Sequence, residues 1–225
     1  MPLKYRRKAL ELNTRGDAFI QNFGQREVSG FVGFVDLVGF SGRVKGHTPS
    51  EMSKYLKPFL AGVVGIVFGR YALVDKTIGD EVMFILPYMD EDGGPPASLL
   101  MGQMLGGIHD LQRRLGGEYP FRIGLSYGRL YLDRIQGDGY SEWTMVGEAV
   151  HLAKRLQGLE ELNTITDIGG AFGVLLREAD AICQFEAILG MIAGFASRMT
   201  HEVIGDLEQL KGVSPARCAL LLPRP

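Results

Sequence analysis

Cysteine is scarce: Cys183 and Cys218 are the only two in 225 residues, and no CxxC or Cys/His cluster surrounds either. Such a pair predicts neither a disulfide framework nor a zinc site, and reads as two buried thiols in a reducing cytoplasm. An excess of one charge is lacking as well. Lys and Arg number 24 against 26 Asp and Glu, a net charge of -2. Without a basic field, general binding to nucleic acid or to an anionic membrane is not expected, and any phosphate binding must be local. Long apolar runs are also missing. No apolar run of signal-peptide length follows the basic start at residues 1–8, and the stretch 185–195 is too short to span a membrane, so it reads as a packed helix. No repeat near 30 residues occurs, which excludes a solenoid.

What the chain does have is a hydrophobic content of 46% and 31 glycines, enough to bury the core of one large domain. Residues 1–25 have the spacing of an amphipathic leader helix, and residues 26–225 read as the one large domain that follows it. The run VSGFVGFVDLV at 28–38 reads as a buried strand ending near Asp36 and Gly39. Thr48, Pro49 and Glu51 form a helix start that leads into MSKYLKPFLAGVVGIVFG, with Pro58 expected to kink it. ALVDKTIGDEVMFILP predicts a hairpin with a polar tip over 75–80, and 97–115 a helix. FRIGLSYGRLYL then reads as a strand, 133–141 as an exposed loop, 143–146 as a strand, and EAVHLAKRLQGLEEL as a helix. The tail reads as a strand at 164–168, two helical stretches and a last strand around 218–222. This irregular alternation indicates an α/β or α+β fold.

Asp36 and Asp80 each interrupt or end an apolar strand segment, where a lone carboxylate is costly to desolvate. Read singly, each is an ordinary turn or capping aspartate. Together they suit Mg²⁺ or Mn²⁺, because a hard cation shared with a triphosphate needs only one or two protein carboxylates.

FVDLVGFSG, DKTIGDEVM, FRIGLSYG and WTMVGEAVHLAKRL occur in that order over residues 31 to 156, and the series resembles the signature of class III adenylate and guanylate cyclases. Each motif alone is a short Gly/Asp string; the ordered set is specific. The resemblance implies a ferredoxin-like α/β core and a head-to-tail homodimer with two active sites shared between its subunits. It implies two divalent cations, Mg²⁺ or Mn²⁺, held by Asp36, Asp80 and the Leu37 carbonyl. From the other subunit would come Lys76 and Thr144 to contact the base, and Arg155 to meet negative charge on the phosphate under attack. Lys211 and Arg122 are further phosphate ligands by the same resemblance, or else solvated surface charges.

Two positions depart from the pattern. His151 stands where most members carry Asn, so an imidazole replaces the amide that would orient the ribose. On a helix, His151 and Arg155 share a face. Tyr55, with Trp143, adds aromatic bulk near the expected base pocket, unless Tyr55 is simply a core-facing helix residue. The whole pattern most resembles the bacterial pyrimidine cyclases of antiphage defence, which make cyclic UMP or cyclic CMP to switch on a separate effector protein. An adenylate cyclase is the alternative, on the Lys76 and Thr144 pair, and a catalytically silent cyclase-like dimerisation module is a third reading.

Overall fold

The computed structural model describes residues 27–70, 72–88, 97–138, 140–158, 174–177, 199–207 and 216–223. Strand β1 (Glu27–Leu37) is followed by the short helix α1 (Phe40–Val44) and the long helix α2 (Pro49–Phe68). A hairpin of β2 (Leu73–Ile78) and β3 (Glu81–Tyr88) leads to α3 (Ala97–Arg114) and β4 (Phe121–Gly137). Next come β5 (Tyr140–Val146), α4 (Glu148–Gln157), β6 (Val174–Arg177), β7 (Met199–Leu207) and β8 (Ala216–Pro223). The sheet runs β2-β3-β1-β4-β6-β8-β7, with β5 paired to β4. Its first part is the ferredoxin-like arrangement β1-α2-β2-β3-α3-β4, with β1 between β3 and β4 and antiparallel to both.

Strand periodicity decides the two faces. Phe31, Val35 and Leu37 of β1 join Phe84, Phe121, Ile123 and Leu125 under α2 and α3, where Phe59, Val63, Met104, Leu105 and Ile108 are all fully buried. Val32 and Phe34 point the other way, packing with Met83, Ile85 and Met145 beneath Ala149 and Ala153 of α4. Asp36 has the same parity as Val32 and Phe34, so it belongs to the α4 face.

Local chemistry fixes the helices. Thr48 caps α2 with a full capping box: the Glu51 N–H donates to Thr48 Oγ1 at 3.3 Å, and the Thr48 N–H donates to Glu51 Oε2 at 2.7 Å. Pro58 lies inside α2, which runs unbroken through it. Helix α4 lies directly on the backbone of β4, because Gly124 and Gly128 present no side chain to it. A Cβ at Gly124 would fall 2.1 Å from the Ala153 carbonyl oxygen and 2.3 Å from the Gln157 nitrogen. Both are backbone atoms and neither can yield cheaply. Gly124→Ala should therefore lift α4, destabilise the protein by about 1–3 kcal/mol, and remove activity beyond the loss of folded material. Denaturant titration beside specific activity of the folded fraction checks this; wild-type values in both would mean that the helix does not bear on β4 there.

Several expectations change. The hairpin tip is only Gly79 and Asp80, since β2 extends through Ile78, and Gly79 takes φ 62° to make the tight turn. The segment 133–141, expected as a loop, is the end of β4 and the start of β5, with Asp133 opposite Thr144. In the tail the final strand is present, while β6 and β7 are strands that the sequence did not suggest. The leader helix of 1–25, the strand at 164–168, the apolar stretch 185–195 and Cys183 lie outside the described residues. No helix among the described residues is long and apolar enough to cross a membrane.

Candidate active site

Asp36 sits one residue from the end of β1, and the β2-β3 turn carries Asp80 to it. Val35 pairs with Val82, so the turn just beyond Val82 lies beside Asp36 and Leu37. The carboxyls are close enough to hydrogen-bond and to repel. Burial first, and then the Asp36 charge, push the Asp80 carboxyl up to about 6, with the backbone N–H groups of Asp80 and Leu37 pulling back.

Hydrogen-bond donors converge on Asp36. Arg122, its register partner on β4, donates from Nε at 3.1 Å and Nη2 at 2.9 Å to Asp36 Oδ2, and Gln157 Nε2 donates to the same oxygen at 2.6 Å. Glu81, next to Asp80, has a side chain only 7% exposed and is ion-paired to Lys154, whose Nζ also donates to Gln157 Oε1 at 3.1 Å. Sequence reading missed Glu81, Lys154 and Gln157. The available signal was the spacing of Lys154 and Gln157, three apart on one helix face, together with an acid placed directly after Asp80.

The other expected residues are distributed. Arg155 is half-buried on α4, and its Nη1 is buried without a hydrogen-bond partner. His151, one turn earlier on α4, is exposed. Lys76 stands on β2, the edge strand, with Nζ 3.4 Å from Asp75 Oδ2, and Thr144 is half-buried on β5. These two strands do not pair, yet Met83, the register partner of Lys76, shares a cluster with Met145, the neighbour of Thr144. Arg122, expected at a phosphate, has its guanidinium on Asp36. Tyr55 stacks on Tyr119 at 4.6 Å, lies under the Arg43 guanidinium at 4.4 Å, and donates its hydroxyl to the Glu118 carbonyl at 2.9 Å. It packs against the cluster beneath α2 and α3, on the face opposite α4. Its ring and hydroxyl make these contacts within the chain. Lys211 lies outside the described residues, as does the Trp143 side chain.

The donor set fits a hard divalent cation. Two carboxylates and a strand-end backbone converge where mutual repulsion favours a positive partner. Among the described residues no group of three or more His, Cys, Asp or Glu side chains comes together. A cation here would therefore complete its shell with oxygens from substrate and water.

Solved structures share this architecture. The chain superposes on the adenylyl cyclase CyaB from P. aeruginosa with a TM-score of 0.65 at 16% identity, covering 87% of this chain and 94% of that one. The guanylate cyclase domain of RhGC from Catenaria anguillulae, in complex with GTP, gives 0.65 at 18% identity, over 89% and 100%. The fold is that of a class III nucleotidyl cyclase catalytic domain. On this cyclase fold the sequence is 25% identical over 131 residues to an adenylate cyclase of Anabaena cylindrica, covering 56% of this chain and 26% of that protein. It is 30% identical over 128 residues to an uncharacterised protein of Mycobacterium tuberculosis, covering 55% and 22%. The matches thus span about a quarter of the length of these curated relatives. No protein-family model matches.

Proposed function

We propose that this chain is a nucleotidyl cyclase that works as a head-to-tail homodimer, closing a nucleoside triphosphate into its 3′,5′-cyclic monophosphate and releasing diphosphate. The observation that carries the reading is the Asp36 and Asp80 pair, brought together at a strand end by a two-residue turn on a cyclase fold. Asp36, Asp80 and the Leu37 carbonyl would hold two Mg²⁺ or Mn²⁺ ions. Bound there, they would supply positive charge to the triphosphate and polarise the α-phosphate. The 3′-oxygen attacks the α-phosphorus, the bond to the bridging oxygen of the β-phosphate breaks, and the hydroxyl proton passes to water. Arg155 from the other subunit meets the charge that builds on the α-phosphate, with its Nη1 unpaired within its own chain. Lys76 and Thr144 contact the base, His151 bonds the ribose from the exposed face of α4, and Lys211 holds the terminal phosphates. Arg122 contributes by holding Asp36, and becomes a phosphate ligand only if it leaves that carboxylate.

For the base we propose a pyrimidine, giving cyclic UMP or cyclic CMP as a signal to a separate effector in antiphage defence. The support is the run of motifs from FVDLVGFS to EWTMVGEAVHLAKRL. Adenylate cyclase is the second reading, favoured by the similarity to the Anabaena cylindrica protein. Incubating purified protein with each of the four ribonucleoside triphosphates and Mn²⁺ or Mg²⁺, and identifying products by mass, separates them. Cyclic UMP or cyclic CMP as the main product is expected. Cyclic AMP alone would replace the pyrimidine reading, and no cyclic product with either metal, from the wild type or from His151→Asn, would sink the cyclase reading.

A further inference from the structure

We infer that Gln157, oriented by the Glu81–Lys154 ion pair, is a positioning residue that aims the Asp36 carboxylate, an inference that rests on the cyclase reading of Asp36. Gln157 is 2% exposed, and its amide lies between Lys154 Nζ and Asp36 Oδ2. An ammonium only donates and a carboxylate only accepts, so the amide has one workable orientation: Oε1 to Lys154 and Nε2 to Asp36. Lys154 is itself held. It neutralises the buried Glu81 carboxylate, and its Nζ lies 5.5 Å from the centre of the Phe34 ring.

The chain Glu81–Lys154–Gln157–Asp36 therefore begins beside Asp80 on β3 and ends on β1, crossing α4 between them. It ties together the two strand ends that carry the carboxylate pair. Its last bond, with the two from Arg122, places three N–H donors on Oδ2, and Oδ1 receives none of them. A carboxylate gripped by three donors on one oxygen is fixed in orientation beside Asp80. Fixed orientation of a ligand by a neighbour that never touches the metal is worth roughly tenfold or more in metal affinity. The helix that supplies Gln157 has no slack, because Gly124 lets its backbone rest on β4.

The competing role is mere packing, in which the ion pair clamps α4 to the sheet and Gln157 fills space. A double-mutant cycle on the metal-free chain separates the two. One arm is Asp36→Asn; the other is Glu81→Gln with Lys154→Met, which removes both charges and leaves no buried carboxylate unpaired. The relay predicts a coupling of roughly three- to tenfold in the unfolding equilibrium constant, which vanishes in the Gln157→Leu background. Absent coupling, or coupling that survives Gln157→Leu, overturns the relay. Mn²⁺ binding, read from the free-ion EPR signal, is the second measurement. Gln157→Leu should weaken it roughly tenfold or more, and Gln157→Glu, which sets a carboxylate against Asp36, should weaken it at least as far. Wild-type Mn²⁺ affinity in Gln157→Leu overturns the positioning role. If the wild type and Asp36→Asn bind Mn²⁺ alike, the metal reading of Asp36 falls instead, and the coupling alone decides whether the relay exists.

Discussion

Asp80→Asn should abolish turnover and stabilise the metal-free protein. The two effects have one origin. In the folded chain the Asp80 carboxyl is pushed up to about 6 by burial and by Asp36, so at neutral pH the protein holds a repelling charge pair that the unfolded chain does not. Removing that charge should raise stability by about 1–2 kcal/mol, after allowance for the water that reaches a half-exposed site, and Tm by several degrees. The same substitution removes a ligand from the place of the cation, which should lower kcat by about 10³-fold or more. Acid should act on the wild type in the same direction. Asp80 takes up a proton in the fold at a pH where the unfolded chain has released it. Its contribution to metal-free stability is thus full below the ordinary carboxylate range and is lost as pH rises through about 6. Metal affinity should run oppositely, falling as pH drops through the same value, because the cation must then displace a proton. Thermal melts of metal-free protein from pH 5 to 8, wild type against Asp80→Asn, check the first part. A mutant that is destabilised at neutral pH would show that the carboxylate is held by contacts that outweigh its repulsion from Asp36.

The carboxylate pair was legible because an acid in an apolar strand has few explanations. FVDLV and IGDEV each put an Asp where desolvation is expensive, and the hairpin that carries the second was legible though its two-residue turn at Gly79 was not. The capping box at Thr48 was equally plain, being a local pattern with a local cause. Tyr55 was not. Its neighbours one turn away on α2 are Glu51, a charged capping residue, and Phe59, a fully buried ring, so spacing alone does not say which environment Tyr55 faces. Only packing reveals that Tyr119, sixty-four residues away, takes its ring. The Glu81–Lys154–Gln157 chain was hidden for the same reason: Glu81 and Lys154 are 73 residues apart in sequence, and nothing local joins them. Strands β6 and β7 escaped because short apolar runs such as VLLR read equally as helix or strand, and the ladder with β8 decides between them.

Arg155→Ala should lower kcat by about 10²–10³-fold, the loss found when one donor to a developing negative charge is removed, with little cost in stability. A buried guanidinium nitrogen without a partner contributes nothing to the fold that Ala would forfeit, beyond the packing of its stem. The larger consequence concerns where Arg155 acts. In the proposed head-to-tail dimer each site would take its carboxylates from one subunit and its arginine from the other, so Asp36→Ala and Arg155→Ala should inactivate different halves of the same site. Mixed, the two proteins form heterodimers in which one site carries both mutations and the other carries neither. With random exchange half of the dimers are mixed and half of their sites are intact, so activity should recover to about a quarter of the wild-type level. Neither protein alone, nor either mixed with itself, should recover anything. Subunit exchange is followed separately with two fluorescent labels, and activity is read on the triphosphate that the wild type turns over. Exchange without recovery would mean that Arg155 serves the carboxylates of its own chain, and the shared-site reading would be lost while the roles of Asp36 and Arg155 in turnover stood.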